Sequence, residues 1–378
     1  MFLAIVVANY LRIMTNLLLQ TNTIETFVND LLLALECPPE SAGAITTSLI
    51  EADVCGVNTH GIAQLPMYAM MVSDGAINPR ATPTITHKTD CIISIDGHDG
   101  FGQLTGQAAT AAGIAAAKKF GVSTVGLHNA THLGRLGEWA GQAAKAGLVF
   151  TAFSNTGGGA TNVAAFGGHE RKLSTNPVAF AVPTFSALPF NIVVDFATSQ
   201  ISGAAIHEHF RTGTPLHPDW TISASGEALI NARDFMDGNG ALLPLGGRTT
   251  GHKGFGLAIV AELLGGIAGG RVIGQHQPEW FSNAAMFSFL DPLHFQDVDE
   301  IKEKITAVVG HLDEDKVRLP GQGTYECAQL TKKQGLCVAP HVLQSLARLA
   351  SKLDVEMMEE IETLIGNAAK PNEERRSW

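Results

Sequence analysis

Thr59-His60-Gly61 sets an imidazole beside a glycine, and a second imidazole, His132, closes the stretch His128-Asn129-Ala130-Thr131-His132. Histidine has the side-chain pKa nearest neutrality, so it can give and take a proton within one catalytic cycle. A glycine next to it leaves room for a substrate to approach. Downstream stand a Ser174-Thr175-Asn176-Pro177 turn and an apolar run ending in Asp195-Phe196-Ala197-Thr198-Ser199. Each step alone is ordinary, since most histidines are plain core or surface residues. Their order is what suggests proton-transfer chemistry.

Other chemistries find less support. The chain holds 40 glycines but no G-x-G-x-x-G and no G-x-x-x-x-G-K-[ST], so the usual dinucleotide and nucleotide loops are missing. Gly157-Gly158-Gly159 and Phe166-Gly167-Gly168 can bring backbone amides close to a phosphate, or serve only as tight turns. His128 and His132 are four apart, and His207-Glu208-His209 alternates as a strand would; neither pair has a third ligand in view, so no metal is expected.

The residues that would do this work need a large scaffold. The 378 residues suffice for two domains, and 45% hydrophobic against 16% charged residues is a globular balance. A net charge of −11 argues against nucleic acid as a partner. Five cysteines, an odd number without a CxxC pair, suit a reducing compartment, so a cytoplasmic location is expected. The apolar start, residues 1–13, is too short to span a bilayer and lacks a basic lead; the fold is expected to begin near Met14, with no membrane partner.

Periodicity predicts two amphipathic helices over 22–54, split by Pro38-Pro39, with His60 in the loop after them. A small-residue helix over 103–119 stops at Gly121. A strand over 122–127 follows, then a loop carrying His128 and His132, and a helix over 134–145. Residues 148–153, 178–182, 192–195 and 284–290 read as strands, 253–267 as a helix, and the chain after Asp297 as mostly helical. The class is therefore α/β. The expected division is a helical domain of 14–120 plus 305–378, bearing substrate and dimer contacts, and a strand-rich cofactor domain of 121–304.

Several segments, in order, resemble the malate/L-lactate dehydrogenase family of the non-Rossmann type. They are Glu51-Ala52-Asp53 followed by Gly56-Val57-Asn58-Thr59-His60-Gly61-Ile62, the His128–Gly134 stretch, Phe166-Gly167-Gly168 through Asn176-Pro177, and Asp195–Ser199. Leu245-Gly246-Gly247, Lys253-Gly254-Phe255-Gly256-Leu257 and Leu319-Pro320-Gly321 complete the series, so the likeness spans about 20 to 350. The resemblance implies an L-sulfolactate dehydrogenase-like fold, which explains the missing fingerprint, and a homodimer using NAD or NADP. It implies that His60 protonates the substrate carbonyl, that His132 is a second active-site histidine, and that Asp195 assists, on ribose hydroxyls or on an imidazole. Gly134, Arg135, Leu136, Asn176, Pro177, Val194, Asp195, Phe196, Ala197, Lys253, Pro320 and Gly321 match cofactor-contacting positions. Thr59, Gln64 and Asn176 match substrate-side positions.

Three departures bear on this expectation. Thr59 stands in place of a serine and keeps the hydroxyl. Gln64 stands where an arginine often meets the substrate carboxylate, and a neutral amide cannot form that charge-assisted pair. Gly203-Ala204-Ala205 replaces a segment that often holds a lysine. The expected activity is interconversion of 2-oxo and 2-hydroxy acids. Reduction of cyclic imino acids is the alternative within enzymes, and an inactive ligand-binding scaffold the alternative outside them.

Overall fold

The computed structural model describes residues 17–275, 280–313 and 317–368. The expected start near Met14 lies outside the described residues. The chain divides into two compact units, one of residues 1–75 and 323–378 and the other of 76–322.

The first unit is helical. Helices Thr21–Ala34 and Pro39–Val54 meet at Pro38, and Pro39 opens the second where its missing amide costs nothing. Ile24, Phe27, Val28, Leu31 and Leu32 recur at helical spacing and are buried, which turns one face of the first helix into core. Helices Leu65–Ser73, Gln322–Gln334, Pro340–Leu353 and Glu359–Ala368 complete this part, with strand Leu17–Leu19 paired antiparallel to Leu336–Val338.

The second unit is built on β1 (Thr84–His87), β2 (Ile92–Gly100), β3 (Val122–Ala130), β4 (Val149–Asn155), β5 (Val178–Val182), β6 (Ile192–Phe196) and β7 (Asn283–Leu290). They form a seven-stranded sheet in the order β1-β2-β3-β7-β4-β5-β6. Only β2 and β3 run parallel within it. The connection between those two is α1 (Gly102–Phe120), as a parallel pair demands. α1 can lie close to the sheet because it is made of alanine and glycine, and a Cβ at Gly113 would run into the Phe289 ring. It ends at Gly121, whose φ of +86° few other residues adopt, with Lys118 and Lys119 complementing the helix dipole. α2 (Leu136–Lys145) and α3 (His252–Ile267) also pack on this sheet. Its core holds Trp139, Phe150, Phe287 and Phe289, with Phe150 edge-on to both phenylalanines at 5.2 and 5.0 Å. Burying each such ring contributes about 2–3 kcal/mol. A four-stranded sheet of two- and three-residue strands, from Val163 to Leu242, packs in the same unit.

The compact units divide after Gly75 and Gln322, whereas the expected domains divide at 120 and 305. The reason is pairing: β2 hydrogen-bonds β3, and α1 packs on both, so residues 76–120 belong with the sheet. His128 lies in β3, paired with Asp96, rather than in the loop, because β3 runs on to Ala130.

Candidate active site

His60 ends a short 3-10 turn, Asn58–His60, and a second one, Ile62–Gln64, follows after Gly61. His60 Nδ1 lies 3.0 Å from Thr59 Oγ1, so the neighbouring hydroxyl orients the ring and biases its tautomer. The turn is pinned twice. Gln64 Nε2 donates to the Thr59 carbonyl at 2.5 Å, and the Ile62 amide donates to Asp53 Oδ2 at 2.8 Å. Asp53 is buried, which pushes its carboxyl up to about 7 although the Ile62 amide pulls the other way. Thr59, His60 and Gln64 remain half-buried around this fixed point. These residues all lie in the first unit.

The second unit carries the other expected residues. His132 is half-buried, while Thr131 and Leu133 beside it are buried and tied down. Thr131 Oγ1 donates to the Gly100 carbonyl at 2.9 Å and accepts from the Gly102 amide at 3.1 Å. Leu133 donates its amide to Asn283 Oδ1 at 2.9 Å, and its carbonyl accepts Trp139 Nε1 at 3.1 Å. The imidazole thus projects from an anchored loop, edge-on to Phe281 with ring centres 5.7 Å apart.

Asp195 sits near the end of β6, and its Oδ2 accepts the Gly137 amide in the first turn of α2 at 2.7 Å. A carboxylate is favoured there because the first amides of a helix lack partners and carry positive charge. The residue as a whole is exposed, while protein atoms crowd its carboxyl group. That crowding raises its pKa, while the Gly137 amide and the Arg135 charge work against the rise. Gly134, with φ of +72°, and buried Arg135 and Leu136 lead into the same helix. Gly321, at φ +87°, packs on Asn191 and Val193, so the Pro320-Gly321 turn lies against the start of β6, the strand of Val194, Asp195 and Phe196. Lys253 is exposed in the first turn of α3, and Ala197 follows β6.

Asn176 is fully buried with φ of +31°, and its Nδ2 donates to the Ala258 carbonyl at 3.0 Å and to Glu262 Oε2 at 2.9 Å, while its Oδ1 has no hydrogen-bond partner among the described residues. Pro177 beside it is half-buried, its carbonyl accepting the Ser154 amide at 3.0 Å. His207-Glu208-His209, read as strand-like, lies in helix Gly203–Thr212, which Ser202 caps and Gly213 ends. Among the described residues no three of His, Cys, Asp and Glu are grouped so as to hold a metal ion.

Sequence reasoning assigned no role to Asp53, Asn155, Glu262 or Asn283. A signal existed for Glu262: after Lys253 it is the one charged residue of α3, and a charge on an otherwise apolar helix needs a partner.

The sequence model of the malate/L-lactate dehydrogenase family matches residues 19–347. An L-lactate dehydrogenase of Cupriavidus necator is 33% identical over 338 residues, 86% of this chain and 95% of that one. Sulfolactate dehydrogenase of Methanocaldococcus jannaschii superposes with a TM-score of 0.78 at 26% identity, covering 92% of this chain and 99% of that one. Δ1-piperideine-2-carboxylate reductase of Pseudomonas syringae gives 0.77 at 25% identity, covering 88% and 100%.

Proposed function

The chain belongs to the malate/L-lactate dehydrogenase family, and from that premise we propose that it interconverts 2-oxo and 2-hydroxy acids with NAD or NADP. The observation that carries the reading is Asp195, an exposed acidic residue at the N-terminus of α2 whose carboxyl group lies beside the Gly137 amide and Arg135. This donor set fits a dinucleotide: the carboxylate suits ribose hydroxyls, and helix amides with nearby cations suit phosphates. In this reading Lys253, exposed in the first turn of α3, and the Pro320-Gly321 turn against β6 also meet the cofactor.

The nicotinamide, when bound, supplies the hydride. The chain's own residues supply the rest. His60, held by Thr59, gives its proton to the substrate oxygen as negative charge builds there, and takes one back in the oxidative direction. Asp53 and Gln64 keep that turn in place. His132 provides the second imidazole from its anchored loop. Such general acid help is worth ~10²–10⁴ in rate.

A homodimer is part of this reading. α3 exposes Val260, Leu263 and Ile267 on one face at 45, 56 and 74%, an apolar stripe that a second copy would cover. Five free cysteines accord with a reducing, cytoplasmic setting.

Loss of nicotinamide absorbance, followed with NADH and NADPH across a panel of 2-oxo acids and one cyclic imine, tests the proposal. Oxo-acid turnover supports it and identifies the cofactor. Turnover of the imine alone favours the second reading, an imine reductase, for which the fold shared with Δ1-piperideine-2-carboxylate reductase speaks. Neither turnover nor nicotinamide binding defeats both.

A further inference from the structure

The His132 loop and the Asn176 turn both lead back to one buried carboxylate, Glu262, which is 3% exposed on α3. Glu262 Oε2 accepts Asn176 Nδ2 at 2.9 Å, and Oε1 accepts the Ile273 amide at 2.8 Å and Asn155 Nδ2 at 3.5 Å. Asn155 Nδ2 also donates to the carbonyls of Glu262, at 3.3 Å, and Arg271, at 2.9 Å. The Asn155 carbonyl in turn accepts Asn283 Nδ2 at 2.6 Å, and Asn283 Oδ1 accepts the Leu133 amide, next to His132, at 2.9 Å. On the other side, the Asn176 carbonyl accepts the Thr198 hydroxyl at 3.0 Å, directly after Val194–Ala197.

We propose that Glu262 is a positioning residue that holds the His132 loop and the Val194–Ala197 segment in register through these two branches. The proposal rests on the functional reading above only for what that register is used for.

The chemistry explains why a carboxylate stands there. Glu262 faces N–H donors at both oxygens, and a glutamine has one acceptor oxygen and an amide that can only donate. Asn176 would have to turn its own amide over to meet it, withdrawing its donor from the Ala258 carbonyl. Glu262→Gln therefore keeps the shape but costs the junction two bonds of Asn176 Nδ2; Asn176 Oδ1, which has no partner among the described residues of the wild type, would accept the glutamine amide and leave Nδ2 unpaired instead. Gly265, one turn on, lets α3 press against Asn155: a Cβ there would lie 2.7 Å from its amide carbon.

The test cuts the branches separately. Asn283→Ala removes the link to Leu133, Asn176→Ala removes the side-chain bond between Glu262 and the turn whose Thr175 and Asn176 carbonyls hold the Thr198 hydroxyl, and Glu262→Gln loads both. Hydrogen exchange at the Leu133 amide, kcat on a 2-oxo acid and nicotinamide Kd by fluorescence are read for each. Asn283→Ala is expected to speed Leu133 exchange and lower kcat, each about tenfold, with Kd held within about twofold. Asn176→Ala is expected to raise Kd about tenfold while Leu133 stays protected, and Glu262→Gln to do all three. Parallel movement of every readout in every variant would make the network mere packing and overturn the proposal. So would a folded Glu262→Gln with unchanged exchange and constants. If Glu262→Gln fails to fold, the two asparagine variants still decide. A wild-type protein without turnover or nicotinamide binding, whose Leu133 exchange still splits by branch, would sink the functional reading and leave the positioning role standing.

Discussion

Asp53 Oδ2 accepts the Ile62 amide at 2.8 Å, and the chain wraps this carboxylate so tightly that Gly61 lies directly against it. A Cβ at Gly61 would fall well inside van der Waals contact with the whole carboxyl group. The φ of Gly61, −91°, is one that side chains adopt, so the demand for glycine there is steric. Gly61→Ala is expected to cost ~1–3 kcal/mol, as overpacking does, and to displace His60. Urea denaturation and kcat of the same preparation check both; an unchanged pair of values would mean that the turn yields freely.

Asp53 also predicts a pH dependence. Its folded pKa is about 7, against 3.8 for the unconstrained side chain, so between those values the folded state holds a proton that the unfolded state has lost. The stability from this group is fully present below about pH 3.8 and is lost as pH rises through 7. The whole effect is on the order of 4 kcal/mol. The substitution Asp53→Asn puts a neutral amide there at every pH, and its oxygen can still accept the Ile62 amide. It should therefore flatten that slope and gain stability over wild type above pH 7. Urea midpoints of the two proteins from pH 4 to 8 check it: parallel curves would refute the assignment.

What the sequence disclosed, and what it hid, follows from distance along the chain. Pro38-Pro39, Gly121 and the apolar runs are local signals, and the helices and strands they announced fall within a few residues of prediction. The end of β3 was hidden because its partners, Asp96 in β2 and residues of β7, are remote, and so His128 was read as loop. The same parallel pairing places the division between the compact units after Gly75. His60 and Asp195 stood in recognisable motifs. Asn155, by contrast, meets Glu262 across 107 positions and Asn283 across 128, and nothing local marks the three as one network.

Asp195 has two jobs in this reading, and one substitution separates them. Asp195→Ala removes the acceptor of the Gly137 amide, which should cost ~1 kcal/mol, the usual worth of a helix cap. It should also raise the nicotinamide Kd about tenfold, one charge-assisted hydrogen bond's worth. Thermal unfolding together with fluorescence titration checks it. Loss of stability with cofactor binding intact would assign the carboxylate to the helix alone.

The acid–base assignment turns on His60. His60→Asn should lower kcat by ~10²–10⁴ and leave nicotinamide Kd within about twofold. Single-turnover absorbance with saturating cofactor separates the two. Undiminished turnover would pass the proton to His132 or to water.

Gln64 tests how the substrate's carboxylate is met. Its amide is already committed to the Thr59 carbonyl at 2.5 Å, so it braces the His60 turn rather than presenting a charge. An arginine at this position retains N–H donors for the brace and adds the planar cation that pairs with a carboxylate through two bonds. Gln64→Arg should therefore lower KM for a small 2-oxo acid about tenfold, with kcat little changed, since ground state and transition state share the carboxylate. Steady-state kinetics with pyruvate-sized and longer oxo acids measure it. A gain confined to the small acids would place their carboxylate beside position 64. No gain with the fold intact would assign that contact to another cation, with Arg135 the first to replace.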